Sequence, residues 1–237
     1  MTKVLLIIPA YNEEGNILKT YNSIADYNKI HKTNYDVVVI NDGSTDNTEK
    51  ILSENKINHV KLIHNLGIGG AVQTGYKYAY EHGYDIAIQF DGDGQHDVNY
   101  VKNIIDPIIK KKANMVIGSR FIDKNSSEFK SSRLRRLGIN LISLFIRIRS
   151  HKKIFDTTSG FRAVDKNVIK MFSLSYPLEY PEPISTVKVI LKKYTVLEVP
   201  VSMNERESGT SSIRAWKNVY YMINVCLSIL MVKGGKK

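Results

Sequence analysis

Cysteine and tryptophan are nearly absent: Cys226 and Trp216 stand alone in 237 residues. A single cysteine cannot close an internal disulfide, which excludes a cross-linked secreted scaffold and fits a reducing compartment. Proline is scarce at 6 residues, and no stretch is repetitive, low in complexity or linker-like. No uncharged apolar run reaches the roughly 20 residues that a spanning helix needs. The longest, "NVYYMINVCLSILMV", covers 218–232. The opening run "VLLII" stops at Pro9 with Glu13 and Glu14 behind it, which is not the pattern of a secretory signal. The expectation is a cytoplasmic chain. Acidic residues are missing from one region altogether. Between Phe129 and Phe155 there is none, against Lys130, Arg133, Arg135, Arg136, Arg147, Arg149, Lys152 and Lys153.

What is present argues for one globular domain. A hydrophobic fraction of 43% over this length supplies a core and excludes a disordered chain. The formal charge of +11 favours phosphate-rich ligands, anionic lipid or nucleic acid, without choosing among them. Apolar runs of strand length occur at 4–8, 35–40, 59–63, 84–90 and 114–118, and amphipathic stretches at 16–31, 69–82 and 98–112 lie between them. Continuous Val/Ile runs separated by helices indicate parallel strands buried on both faces. Asn16, Thr45 or Asn47, and Asp97 are the candidate helix starts. The fold class is therefore α/β, a Rossmann-like doubly wound, mostly parallel sheet with helices on both faces. After about residue 120 the pattern changes to a basic, partly apolar region, a further strand at 194–201 and a closing helix.

In such sheets ligands bind beyond the carboxyl ends of the strands. The loops there are "PAYNEEGN", "NDGSTDNT", "HNLGIGG", "DGDGQHD" and "GSRF", all polar or glycine-rich. In "QFDGDGQHD", Gln89, Asp91, Asp93, Gln95 and Asp97 fall at every second position. An EF-hand loop counted from Asp91 needs glycine sixth and glutamate twelfth, but His96 and Lys102 stand there. A plain capped turn needs only Asp97, which leaves Asp91 and Asp93 as unexplained like charges. A divalent cation removes their repulsion. Mg²⁺ or Mn²⁺ takes one or two carboxylates and completes its shell with water and a substrate diphosphate.

The blocks "VLLIIPAYNEEGNI", "VVVINDGSTDNT", "N-x-G-x-GG-A" (65–71), "FDGDGQHD", "GSRF", "DTTSGFRA" (156–163) and "RESGTSS" (206–212) resemble family-two inverting glycosyltransferases of the GT-A fold. Within that family they are most similar to the polyprenyl-phosphate, or dolichol-phosphate, sugar transferases. The resemblance implies a catalytic domain over 1–213, with a nucleotide-sugar half at 1–120 and an acceptor-side half at 121–213. Residues 214–237 would form an amphipathic interfacial helix. It implies that Pro9, Tyr11 and Glu13 hold the base and ribose, and that Asn41 and Asp42 stand where the family usually has paired aspartates. It places Asp91 and Asp93, with Gln95 beside them, on the metal, Arg120 facing the donor, and Arg206 on the diphosphate. Ser212 takes the place of a lysine common in the mannosyltransferase group. Gly70 belongs to a glycine cluster read as giving a helix close approach to the donor.

The implied activity is metal-dependent, inverting transfer of a sugar from a nucleotide diphosphate, with a uridine donor favoured, to polyprenyl phosphate. The alternative acceptor is a saccharide hydroxyl on a lipid-linked or cell-surface polysaccharide. A phosphate acceptor is already anionic and needs no strong base, whereas a hydroxyl does. Asp156 and Glu182 are the candidate bases, each with a plainer reading as a loop-orienting acid or a solvated turn acid. The basic, apolar stretch "GINLISLFIRIR" reads equally as a membrane-surface segment or as a core-facing helix with a basic outer face. The C-terminal run, flanked by Trp216, Lys217, Lys233, Lys236 and Lys237, reads as interfacial. Expected partners are therefore the donor, the lipid acceptor and the inner membrane surface or an anchored protein, with a homo-oligomer possible. Among rival classes, a nucleotidyltransferase needs a basic first loop, and a dinucleotide enzyme needs its glycines after the first strand. Nucleic-acid binding lacks a basic-aromatic motif, and a non-catalytic sugar-nucleotide module would have lost the aspartates.

Overall fold

The computed structural model describes residues 2–122, 133–203 and 215–233. Seven strands form one sheet: β1 (Val4–Ala10), β2 (Tyr35–Asn41), β3 (His59–Lys61), β4 (Ile86–Gln89), β5 (Met115–Ser119), β6 (Arg162–Asp165) and β7 (Val196–Pro200). Their order is β3-β2-β1-β4-β6-β5-β7. All pair in parallel except β6, which is antiparallel to both β4 and β5. The five early strands lie where the Val/Ile runs place them. β6 is the strand that periodicity missed, because "RAVD" offers only four residues with a charge at each end.

The helices are α1 (Ile17–His31), α2 (Thr48–Glu54), α3 (Gly67–Glu81), α4 (Val101–Ile109), α5 (Arg133–Ser150), α6 (Lys166–Leu174), α7 (Pro181–Leu191) and α8 (Ala215–Met231). Both faces of the central strands are apolar, so successive β1 side chains enter different cores. Leu5 and Ile7 pack with Val72 and Tyr76 of α3, Ile142 and Ile146 of α5 and Val225 and Ile229 of α8. Leu6 and Ile8 pack with Ile17 and Ile24 of α1, Leu52 of α2 and Ile104 of α4.

Two helix starts differ from the sequence reading. Asn16 and Asn47 occupy cap positions but make no side-chain cap bond. At α2 the work falls to Asp46, whose carboxylate accepts from the Thr48 N–H at 2.9 Å. Asp97 does cap, but it caps a single 3-10 turn, Val98–Tyr100, ahead of α4. The stretch "GINLISLFIRIR" is a core-facing helix along one side, with Ile139, Ile142 and Ile146 buried. Its other side exposes Leu141, Leu144 and Ile148, with Leu137 exposed just before the stretch. Among the described residues no helix is long and apolar enough to cross a membrane.

Asp165 joins β6 to α6. Its Oδ1 accepts from the N–H groups of Asn167 and Val168, at 3.0 and 2.9 Å, and its Oδ2 from Asn114 Nδ2 at 2.7 Å. Asp165→Ala is expected to lower the unfolding free energy by about 1–2 kcal/mol, the worth of a good cap with its lateral bond. The check is a lower urea midpoint with an unchanged slope.

Candidate active site

Strand order places the chemistry. From β1 the chain winds outward through β2 to β3, then returns to lay β4 on the other side of β1. The loops that follow β1, β2 and β4 therefore meet where the winding reverses, the site favoured for ligands in open α/β sheets. Because β6 runs antiparallel, its first residue, Arg162, pairs with Gln89 and Ile117 at the same edge. The segment 156–161 that leads into β6 is thereby delivered to the loops. An open depression of about 680 Å³, lined in part by Asp85, Lys112, Asn114, Asp165 and Thr195, lies at the opposite edge and gathers none of these residues.

The first two loops are laced into one unit. Asn12 N–H donates to Ser44 Oγ at 3.0 Å, Thr45 N–H to Asn12 Oδ1 at 2.8 Å, and Glu13 N–H to Thr48 Oγ1 at 2.9 Å. Glu14 N–H donates to Asp46 Oδ2 at 3.1 Å. Pro9 is buried in β1, whereas Tyr11 projects with 48% of its surface exposed. Asn41 is wholly buried. Its amide donates to Glu49 Oε2 at 2.6 Å and accepts from Ser44 N–H at 3.1 Å, so it serves the loop from within. Asp42, also buried, accepts from Leu66 N–H at 2.8 Å and ties in the third loop. The glycines of that loop differ from their expected use. A Cβ on Gly69 would lie 2.5 Å from the backbone oxygens of Pro177 and Leu178, and one on Gly70 would strike Leu66 at 2.4 Å. Close approach is to the chain's own backbone and loop.

Asp91 and Asp93 stand partly open at the end of β4 with Gln95 beside them, whose N–H donates to Asp93 Oδ1 at 3.1 Å. Among the described residues no three His, Cys, Asp or Glu side chains form a ligand cluster. Two carboxylates and an amide are hard oxygen donors, and such a set fits Mg²⁺ or Mn²⁺. Asp91 is closely approached. His96 accepts the Asp91 N–H on Nδ1 at 2.9 Å and sets Nε2 at 3.3 Å from Asp91 Oδ2. Burial pushes the imidazole down to about 3, against the pull of Asp93, so the Nε2 approach to Asp91 is a close contact of a neutral ring and not an ion pair. Gly160 is close as well, since a Cβ there would lie 3.0 Å from Asp91 Oδ2.

Arg120 and Asp156 are brought together, and closely. Asp156 is fully buried, and both its oxygens receive the Arg120 guanidinium, Nε to Oδ2 and Nη2 to Oδ1, each at 2.8 Å. Both oxygens are thereby engaged in a bidentate, charge-assisted pair that orients the loop. Glu182 opens α7 and is not a solvated turn acid. Burial raises its carboxyl above the ordinary range, Asp91 adds to the rise, and Arg162 and a bond from Gln89 oppose it. Arg162 holds it there. This fully buried guanidinium donates to the Glu182 carbonyl at 2.8 Å, to Ser185 Oγ at 2.9 Å and to Ser159 O at 2.6 Å. His96, Gly160 and Arg162 were visible as "QH" and "SGFR", but only as neighbours of better signals. Arg206 and Ser212 lie outside the described residues, as do Lys130, Lys236 and Lys237.

A model described as glycosyl transferase family 2 matches residues 5–172. The chain belongs to that family. As a family 2 enzyme it is a glycosyltransferase, and its relatives are informative in their breadth. It is 35% identical, over 98% of its length and 97% of the other's, to the UDP-N-acetylglucosamine–dolichyl-phosphate N-acetylglucosaminyltransferase of Methanococcus voltae. It is 27% identical to the polyprenol monophosphomannose synthase of Mycolicibacterium smegmatis, over 89% of this chain and 81% of that one. Among solved structures, glucosyl-3-phosphoglycerate synthase of Mycobacterium tuberculosis, in complex with Mn²⁺, uridine diphosphate and phosphoglyceric acid, superposes with a TM-score of 0.68. That match covers 98% of this chain and 80% of that one at 16% identity, so it bears on the GT-A fold.

Two predictions follow from the buried charges. Asp156→Asn leaves Arg120 enclosed without its counter-charge and is expected to cost about 3–5 kcal/mol. Urea unfolding checks this, and a midpoint matching the wild type would refute a structural role for the pair. Glu198 on β7 accepts the N–H groups of Phe155 and Asp156, at 2.9 and 2.8 Å, and burial raises its carboxyl above the ordinary 4.5. The folded state thus binds this proton more tightly than the unfolded one. The resulting stability is complete below about 4.5 and is lost as pH rises through the raised value. Glu198→Gln can accept only one of these two N–H groups, but the stability difference from wild type should move in the variant's favour as pH rises from about 4 to 7, read from paired urea midpoints.

Proposed function

We propose that this family 2 enzyme transfers a sugar, with inversion, from a uridine diphosphate donor to polyprenyl phosphate at the cytosolic face of a membrane. The near full-length likeness to the M. voltae dolichyl-phosphate transferase carries the reading. The site is consistent with it. Donor binding falls to the first 120 residues, where the laced loops gather beyond the ends of β1, β2 and β4, and the acceptor to 121–213. Asp91 and Asp93, with Gln95, would hold Mg²⁺ or Mn²⁺, which when bound supplies charge neutralisation on the departing diphosphate. By the sequence resemblance, Arg206, outside the described residues, would supply a second cation for the same phosphates. Tyr11 is exposed where a base or sugar ring can lie against it, and Glu13 stands next to it.

The acceptor chemistry sets what the chain must provide. A lipid phosphate arrives as an anion and attacks without losing a proton, so no base is required. Its approach needs an apolar, basic flank. α5 exposes Leu137, Leu141, Leu144 and Ile148, and its neighbour α8 exposes Ile223, Leu227, Leu230 and Met231. Arg136, Arg147, Lys153 and Lys233 are exposed along or beside them. An apolar stripe bordered by cations suits an anionic bilayer surface. A second reading, attack by a saccharide hydroxyl, is favoured by Glu182, an acid with a raised affinity for protons beside Asp91.

The deciding experiment offers labelled UDP- and GDP-sugars, with Mn²⁺, to the purified chain and polyprenyl phosphate in vesicles. Lipid-linked product from a UDP-sugar, lost on chelation and in Asp93→Ala but retained in Glu182→Gln, is the expected result. Transfer only to saccharide, with Glu182→Gln inactive, would replace this reading by the second.

A further inference from the structure

We propose that Glu49 is a positioning residue for the donor, fixing the Asn41 amide and through it the loop that supports Tyr11; the proposal rests on the donor reading above. Asn41 ends β2 with its side chain wholly buried, so it does not touch a ligand itself. Its two amide atoms meet opposite demands. Glu49 Oε2, in the first turn of α2, accepts from Nδ2 at 2.6 Å, and Ser44 N–H donates to Oδ1 at 3.1 Å. Burial works against the charge on Glu49, yet the bond from Asn41 and the nearby His59 and Lys61 hold its carboxyl below the ordinary range. An ionised carboxylate only accepts and a backbone N–H only donates, so the amide has one orientation. An aspartate at this position would set two carboxylates against each other.

The constraint is carried forward to the site. Ser44 presents Oγ to the Asn12 N–H at 3.0 Å, and Asn12 Oδ1 accepts in return from the Thr45 N–H at 2.8 Å. Asn12 has a φ of 57°, a left-handed conformation that costs free energy unless its surroundings hold it. The residue before it is Tyr11, the exposed ring against which a base or sugar can lie. Hydrogen bonds thus lead without a break from the Glu49 carboxylate through Asn41 and Ser44 to the backbone beside Tyr11. The other oxygen of Glu49, Oε1, lies 3.4 Å from His59 Nε2 and 3.7 Å from Lys61 Nζ on β3. A glutamate that served only to close α2 onto β3 would need those two neighbours and not Asn41.

Exchanging the acid and the amide tests the bond. Asn41→Asp alone opposes two carboxylates, whereas Asn41→Asp with Glu49→Gln restores the bond with donor and acceptor reversed. The readout is calorimetric binding of UDP and of GDP, each with Mn²⁺, beside a urea midpoint for every variant. Asn41→Asp is expected to weaken UDP about 10-fold, the scale of one lost hydrogen bond to a charged group. The double variant is expected to return to within about threefold of wild type. Glu49→Gln alone, whose Oε1 still accepts from Asn41, should stay near wild type. Wild-type affinity in Asn41→Asp, or no recovery in the double variant, would overturn the proposal while leaving the donor reading intact. A lowered urea midpoint with UDP affinity unchanged would do the same, since it is the mark of a merely structural pair. If the wild type binds GDP in place of UDP, the uridine reading falls and the series is judged on GDP by the same criteria; if it binds neither, the donor reading and the proposal fall together. Should Asn41→Asp not fold, Glu49→Ala decides, because it takes the acceptor from the amide and adds no charge. Binding about 10-fold weaker supports the proposal, and wild-type affinity overturns it.

Discussion

The antiparallel strand β6, inserted between β4 and β5, is the constraint on which the rest of the molecule depends. Four residues, Arg162–Asp165, bond to Ile86–Gln89 on one side and Met115–Ile117 on the other. Without them the sheet would divide into β3-β2-β1-β4 and β5-β7. Their reversed direction brings the chain into the sheet from the ligand edge. Segment 156–161 must then lie against the end of β4, which sets Gly160 against Asp91 and Phe161 against His96. The same strand begins with Arg162, whose buried guanidinium fixes the first turn of α7 and so locates Glu182.

Charge is handled differently in the interior and at the surface. Inside, Arg120 and Asp156 neutralise each other in a bidentate pair, while Arg162 is surrounded by carbonyl and hydroxyl oxygens. Among the described residues one of its nitrogens, Nη2, has no hydrogen-bond partner, and the same holds for the hydroxyl of Tyr76 and for Gln89 Oε1. A protein selected only for stability would fill this region with apolar side chains. The polarity reaches Glu182, whose carboxyl Arg162 and Gln89 both draw down against its burial. At the surface, cations and exposed leucines lie together along α5 and α8, so the molecule has a polar loop edge and a separate apolar, basic flank.

The sequence was legible where one residue type answers to one physical demand. Val/Ile runs buried on both faces identify β1, β2, β4 and β5, because only an apolar strand survives between two helical layers, while the partly exposed β3 sits at the sheet edge. The loops at the strand ends, with Asp91 and Asp93 among them, follow from chain direction alone. Partners distant in sequence were not legible. Arg120 and Asp156 are 36 residues apart, and each read separately suggests chemistry, one a donor contact and the other a base; together they make an ion pair. Gly69 looks like a ligand glycine until Pro177 and Leu178 are seen to occupy the space beside it.

By itself, then, the sequence determined the α/β layering, the edge at which the loops gather and the oxygen-rich character of the β4 loop, since all three depend on local pattern and on the alternation of strand and helix. Only the tertiary structure decided that β6 runs backwards through the centre, that Asn41 faces inward, and that His96 and Gly160 close on Asp91. These depend on contacts between segments far apart in the chain, whose energies come from packing and from burial of polar groups, and no periodicity in one segment records what another will press against it.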